Sequence, residues 1–139
     1  MERFSFPVRV YWEDTDAGGV VYYASYLSFL ERARSGWLRA LGIDQVKLQR
    51  DERLQFVVVE AQHPLPSAGA ASTTSSWCRW RSRHFAARRW RSRRDVRRGP
   101  DASELLISAT IRAACIDADS LRPRPLPPAP DVAILKESP

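Results

Sequence analysis

Residues 13–34 read EDTDAGGVVYYASYLSFLERAR, and the organisation of the whole chain follows from them. Carboxylates stand at Glu13, Asp14 and Asp16, and the acidic part closes on Gly18-Gly19. Paired glycines permit backbone angles that other residues avoid, so this segment predicts a turn. Beyond it Tyr26, Phe29, Leu30, Ala33, Trp37, Leu38 and Leu41 recur at steps of three and four, which predicts a long amphipathic helix over roughly residues 23–41. Its polar side carries Glu31, Arg32, Arg34 and Arg39. Arg39 answers the C-terminal helix dipole, and Gly42 supplies a left-handed stop.

Working outward, Phe4, Phe6, Val8, Val10 and Trp12 alternate with other residues, the period-two pattern of an opening strand with one buried face. Phe56–Glu60 and Leu105–Asp117 read as further strands, the second with Ile107, Ala109, Ile111, Ala113 and Cys115 on one face. Leu121–Pro130 holds five prolines, too many missing N–H donors for helix or sheet, and predicts an extended tail. With 139 residues, 44% of them apolar, the chain suits one compact domain over residues 1–122 followed by a Pro-rich tail, 123–139.

Several classes drop out. No run approaches the roughly 18 apolar residues of a membrane span, and residues 1–10 lack a signal-peptide apolar block, so the expectation is a soluble cytoplasmic protein. Cys78 and Cys115 are too few and too far apart for a disulfide framework or a zinc site, and no metal is expected. P-loop, dinucleotide, nucleophile-elbow and zincin motifs are all missing.

The acidic turn is the candidate site. It sets Asp16 beside the amides of a helix start, which have no intrahelical partner. Such amides can stabilise a developing oxyanion, and a neighbouring carboxylate can serve as nucleophile or general base, a combination suited to acyl transfer to water. Taken alone, D-x-D-x-G-G equally well builds a plain turn.

The full string of residues 13–34 resembles the signature of the hot-dog-fold 4-hydroxybenzoyl-CoA thioesterase family, closest to its Tol-Pal-associated acyl-CoA thioesterase branch. The likeness begins in the opening strand, runs to about Leu41 and resumes more loosely at Phe56–Gln62 and Glu104–Asp119. It implies an α+β hot-dog fold, a long helix wrapped by an antiparallel sheet. It also implies homodimers or homotetramers with interfacial active sites, and hydrolysis of acyl-CoA or acyl-carrier-protein thioesters without a cofactor, coenzyme A being part of the substrate. Carried over by motif position, Asp16 takes the catalytic carboxylate place, Gly19 the turn glycine, and Tyr23 the position whose backbone N–H polarises the thioester carbonyl. Tyr23 and Ser25 stand where that branch usually has His and Asn, so a mechanism needing an imidazole there does not carry over. Asp14 is expected to form the turn or stand as a surface carboxylate, and Glu31 either to line the interface pocket or, the favoured reading, to pair with Arg34 or Arg32. Arg97 and Arg98 are the candidate contacts to the CoA phosphates.

Residues 63–94 fit nothing around them. Eight of the 22 basic residues lie between Ala61 and Arg94 against none of the 16 acidic ones, so the remainder of the chain is net negative by two although the whole is +6. Trp77, Trp80 and Trp90 sit among these arginines without helical or strand alternation. One reading is a basic, aromatic nucleic-acid surface, since arginines neutralise phosphates and aromatics stack bases. The other is translation out of frame from a GC-rich gene. Tryptophan's single codon TGG, read one base earlier, becomes NTG, which encodes only Leu, Met or Val; arginine's CGN becomes NCG, encoding Ala, Pro, Ser or Thr. With GC-rich codons Ser72–Arg93 converts to LDDELVVPVAVAALRGAALAFA, a turn followed by two apolar strands, and the basic excess vanishes. Three functions follow: an acyl-CoA thioesterase, with a nucleic-acid-binding protein and a non-catalytic acyl-binding hot-dog scaffold as its alternatives.

Overall fold

The structure, a computed structural model, describes residues 4–64, 75–86, 89–99 and 101–125, the segment 75–86 by its backbone alone. Five strands form one antiparallel sheet: β1 (Ser5–Arg9), β2 (Leu54–Gln62), β3 (Ser75–Ala86), β4 (Arg89–Arg98) and β5 (Glu104–Asp117), in the order β1-β3-β4-β5-β2. The helix α1 (Ser25–Ala40) packs across this sheet, and a short helix α2 (Gln45–Glu52) precedes β2. This is the expected hot-dog arrangement.

The apolar stripe of α1 supplies the core. Tyr26, Phe29, Leu30, Ala33, Trp37 and Leu38 are all buried, as a stripe at helical spacing requires. Gly36 lets α1 lie close to β1, because a Cβ there would stand 2.7 Å from the Phe6 ring. The helix ends in a Schellman motif: Gly42 N–H donates to Arg39 O (3.0 Å), Ile43 N–H donates to Leu38 O (3.0 Å), and Gly42 adopts φ +82°. Ile43 and Leu38 are both buried, closing the motif with its apolar contact.

Three expectations change. Trp12, predicted on the buried face of the first strand, is 84% exposed. The strand ends at Arg9 and the chain coils into a single 3-10 turn over Trp12–Asp14, so the period-two phase is lost before Trp12. Helix α2 was not anticipated; the Asp44 carboxylate caps it by accepting the amides of Val46 and Lys47, both at 3.0 Å. Residues 63–94, which showed no alternation, contain all of β3 and the first part of β4.

The first residues of the Pro-rich tail fold back. Arg124 N–H donates to Cys115 O at 3.0 Å and Pro123 bridges Ile116, so this part lies along the end of β5. The tail from residue 126 onward lies outside the described residues.

Candidate active site

The loop between β1 and α1 is built by its own hydrogen bonds. Asp14 is buried: its Oδ2 accepts the Tyr11 amide at 2.8 Å while its carbonyl accepts the Tyr22 amide at 2.8 Å. The carboxylate closes the 3-10 turn and the backbone ties the outgoing to the returning chain, which is the structural part foreseen for this residue. Inside that frame Thr15 bridges Val21, Asp16 N–H donates to Val20 O at 2.9 Å, and Gly19 N–H donates to Asp16 O at 3.0 Å. Gly19 sits at φ +76°, in the left-handed region, where an L side chain is strained.

Asp16 is therefore at the tip of a tight loop tied by backbone hydrogen bonds on both sides of it. Its side chain is exposed, and Oδ1 accepts the Gly18 amide at 2.8 Å. That bond fixes the carboxylate's direction and leaves Oδ2 to meet a substrate or a water.

From Val21 the chain runs directly into α1. Tyr22 and Tyr23 are about half exposed, with ring centroids 4.8 Å apart, and the neighbouring Tyr23 hydroxyl raises the Tyr22 phenol above its ordinary pKa. Tyr22 O accepts the Ser25 amide at 2.9 Å. Tyr23 thus stands immediately before the first helical turn, where peptide dipoles place partial positive charge.

A cavity of about 220 Å³ opens farther along the same side of α1, lined by Leu27, Leu30, Glu31, Val58, Ala61, Arg94 and Ile111. Leu27 and Glu31, four residues apart on α1, share one face of the helix and stand together in the cavity wall. Sequence reasoning missed it because Val58, Ala61 and Ile111 arrive from strands remote in the chain. Glu31 both lines this cavity and pairs with the buried Arg34, so the two readings open for it in the sequence coincide.

Arg97 and Arg98 lie at the end of β4. Arg98 forms a two-pronged ion pair with Glu104, with contacts of 2.6–2.8 Å, and Arg97 Nη1 donates to Ser103 O at 3.2 Å and Ala102 O at 3.4 Å. Both brace the β4–β5 connection. They sit at the end of the sheet from which the Asp16 loop emerges: Arg9 registers with Ser75 on β3 and Ser76 with Arg98 on β4. Two strand spacings, about 10 Å, separate β1 from β4 there.

Among the described residues no helix is long and apolar enough to cross a membrane, and no group of three His, Cys, Asp or Glu side chains could hold a metal ion. His63 is engaged with the adjacent Pro64 carbonyl at 3.1 Å.

A hot-dog sheet, an acidic loop at the helix start and an apolar cavity beside that helix define the class: the chain belongs to the thioesterase-like superfamily, whose family model matches residues 10–134. Among curated proteins it is 39% identical over 132 residues to the acyl-CoA thioesterase YbgC of Haemophilus influenzae, covering 89% of this chain and 88% of that one. It is 39% identical over 130 residues to the acyl-CoA thioester hydrolase YbgC of Escherichia coli O157:H7, covering 89% and 90%. A solved structure of a probable thioesterase from Bartonella henselae superposes with a TM-score of 0.82 at 32% identity, covering 91% of this chain and all of that one.

Proposed function

We propose that this chain hydrolyses acyl-CoA thioesters to the free acid and coenzyme A. Asp16 supplies the carboxylate, attacking the thioester carbonyl carbon itself or removing a proton from the water that does. The carbonyl oxygen gathers negative charge as the tetrahedral intermediate forms, and the Tyr23 amide, just before α1, would hold it, whereas the Gly19 amide, which donates to Asp16 O at 3.0 Å, would shape the loop. Collapse breaks the carbon–sulfur bond and releases coenzyme A. When Asp16 has activated water, the free acid forms at once and the proton Asp16 took goes to the thiolate. When Asp16 has attacked, the thiolate takes a proton from solvent, and a water then cleaves the Asp16–acyl anhydride to release the acid and restore the carboxylate. The observation that carries this reading is the exposed Asp16 carboxylate, oriented by the Gly18 amide at 2.8 Å on a loop that leads straight into α1. The cavity past Leu27 would take the acyl end, and Arg97 and Arg98 would meet the CoA phosphates by exchanging part of their present hydrogen bonds.

The second half of the proposal is assembly. β2 ends the sheet, so among the described residues one of its edges has no partner strand, and Val58 and Val59 on it are about half exposed. An exposed strand edge is a template for pairing. Two copies joined along β2 would make one continuous sheet and bring the cavity beside Val58 to the subunit interface, as a homodimer or as half of a homotetramer.

The test is thiol release from short-chain, long-chain and aromatic acyl-CoAs and from an acyl-carrier-protein thioester. Release from at least one substrate, saturating with concentration, is expected. Tight acyl-CoA binding with no release would point instead to a non-catalytic acyl-binding scaffold.

A further inference from the structure

We propose that the functional polypeptide differs from the sequence above between Ser72 and Arg93: the same DNA read one base earlier encodes the two central strands, placing large apolar residues at positions 90 and 92.

The structure supplies an observation that the genetic code does not contain, namely which residues of β4 face the core. Trp90, Ser92, Arg94 and Val96 are 1%, 0%, 2% and 0% exposed, while Arg89, Arg91 and Arg93 between them are exposed. The inward row therefore sets a serine and a guanidinium in the middle of an apolar core. Arg94 Nε donates to Ser92 Oγ at 3.1 Å and Nη1 to the Leu30 carbonyl at 3.2 Å, so the Ser92 hydroxyl is held within this inward row. A small hydroxyl side chain at such a position buries less apolar surface than Phe, Leu, Ile or Val would.

The outward row is no better matched. Arg93 registers opposite Arg81 on β3, and Arg91 opposite Arg112 on β5. Like charges directly opposite across an antiparallel pair destabilise it. A central strand flanked on both sides in this way contradicts the apolar-in, polar-out patterning that specifies a sheet.

Reading one base earlier changes the inward Trp90 and Ser92 and the like-charge pairs of Arg91 and Arg93, while Arg94 lies just beyond the converted stretch. Trp90 can become only Leu, Met or Val. Every TCN serine codon at Ser92 becomes NTC, encoding Phe, Leu, Ile or Val. The CGN codons of Arg81, Arg91 and Arg93 become NCG and lose their charge. With TCN at Ser92 and CGN at Arg91 and Arg93, large apolar side chains fall at 90 and 92 and small uncharged ones at 91 and 93, in phase with the burial of β4. If Arg94 is included and has a CGN codon, the cavity beside α1 also loses its buried cation.

This inference is independent of the thioesterase reading, and its test reads mass rather than activity. Protein made from its own gene is digested at Asp and Glu. The sequence above offers no acidic residue between Ala61 and Arg94, so it yields one uncut peptide, Ala61–Asp95. The shifted reading carries Asp, Asp and Glu at positions 73–75 and is cut there into fragments lacking Trp. Recovery of the uncut, Trp-containing peptide overturns the proposal. A second comparison uses two synthetic genes, one for the sequence above and one carrying the shifted residues over 72–93. The shifted chain is expected to melt at least ~10 °C higher; an equal or higher melting temperature for the unshifted chain also overturns it.

Discussion

Oδ1 of Asp16 accepts the Gly18 amide at 2.8 Å, and a Cβ added to Gly18 would stand 3.1 Å from that same oxygen. The loop thus orients the carboxylate with a residue that has no side chain to displace it. Gly18→Ala is expected to push the carboxylate off its line and lower thiol release about tenfold, an activation cost of about 1.4 kcal/mol. Its melting temperature should stay within a few degrees of wild type. Gly19→Ala acts differently: φ +76° strains any L residue, so it should cost about 1–2 kcal/mol of stability. Paired melting and kinetic measurements on the two variants separate the effects.

Asp14 and Asp16 should part company on mutation. Asp14 is buried and spends its carboxylate on the Tyr11 amide, so Asp14→Ala is expected to cost about 1–2 kcal/mol and lower the melting temperature by about 5 °C. At a temperature where the variant is still folded, thiol release should remain within a few-fold of wild type. Loss of turnover in a fully folded Asp14→Ala protein would give Asp14 a chemical part that its geometry does not.

The helix and the acidic turn were legible because each is written in local terms. The spacing of Tyr26, Phe29, Leu30, Ala33 and Trp37 names a helical face, and Arg39 with Gly42 names its end. Helix α2 was not legible, since Val46 and Leu48 alone make no apolar face and only the Asp44 cap announces it. Trp12 misled because a 3-10 turn rotates the chain after Arg9. The strands β3 and β4 were hidden because arginines and tryptophans there mask any hydrophobic alternation. At the site, the acidic residues were visible in the chain, but the hydrogen bonds that separate Asp14 from Asp16 and the cavity walls from β2 and β5 exist only once the chain is folded.

Cys115 is fully buried, and burial pushes its thiol up to about 11. Because the folded pKa lies above the unfolded one, the unfolded state releases this proton first as the solution becomes alkaline. Stability is therefore fully present below about pH 9 and falls between about pH 9 and pH 11. Urea melts at pH 8 and pH 10.5 should show the midpoint dropping, and Cys115→Ala should flatten its share of that drop. The thiol should also resist iodoacetamide at pH 8 until the protein unfolds.

Assembly through the β2 edge predicts a particle of at least two chains by light scattering. Val58→Lys places a charge on that edge, a device by which strand pairing is blocked. The variant is expected to shift toward monomer and to lose thiol release together with assembly. An assembled, active Val58→Lys protein would move the interface elsewhere on the sheet.

The most direct measurement is thiol release by wild type and Asp16→Asn, side by side on the best acyl-CoA substrate, with melting curves recorded on the same samples. Asparagine keeps an oxygen for the Gly18 amide and removes only the charge, so the loop should survive. The account predicts a fall of at least ~100-fold in turnover with an unchanged melting temperature. Wild-type turnover in folded Asp16→Asn would contradict it.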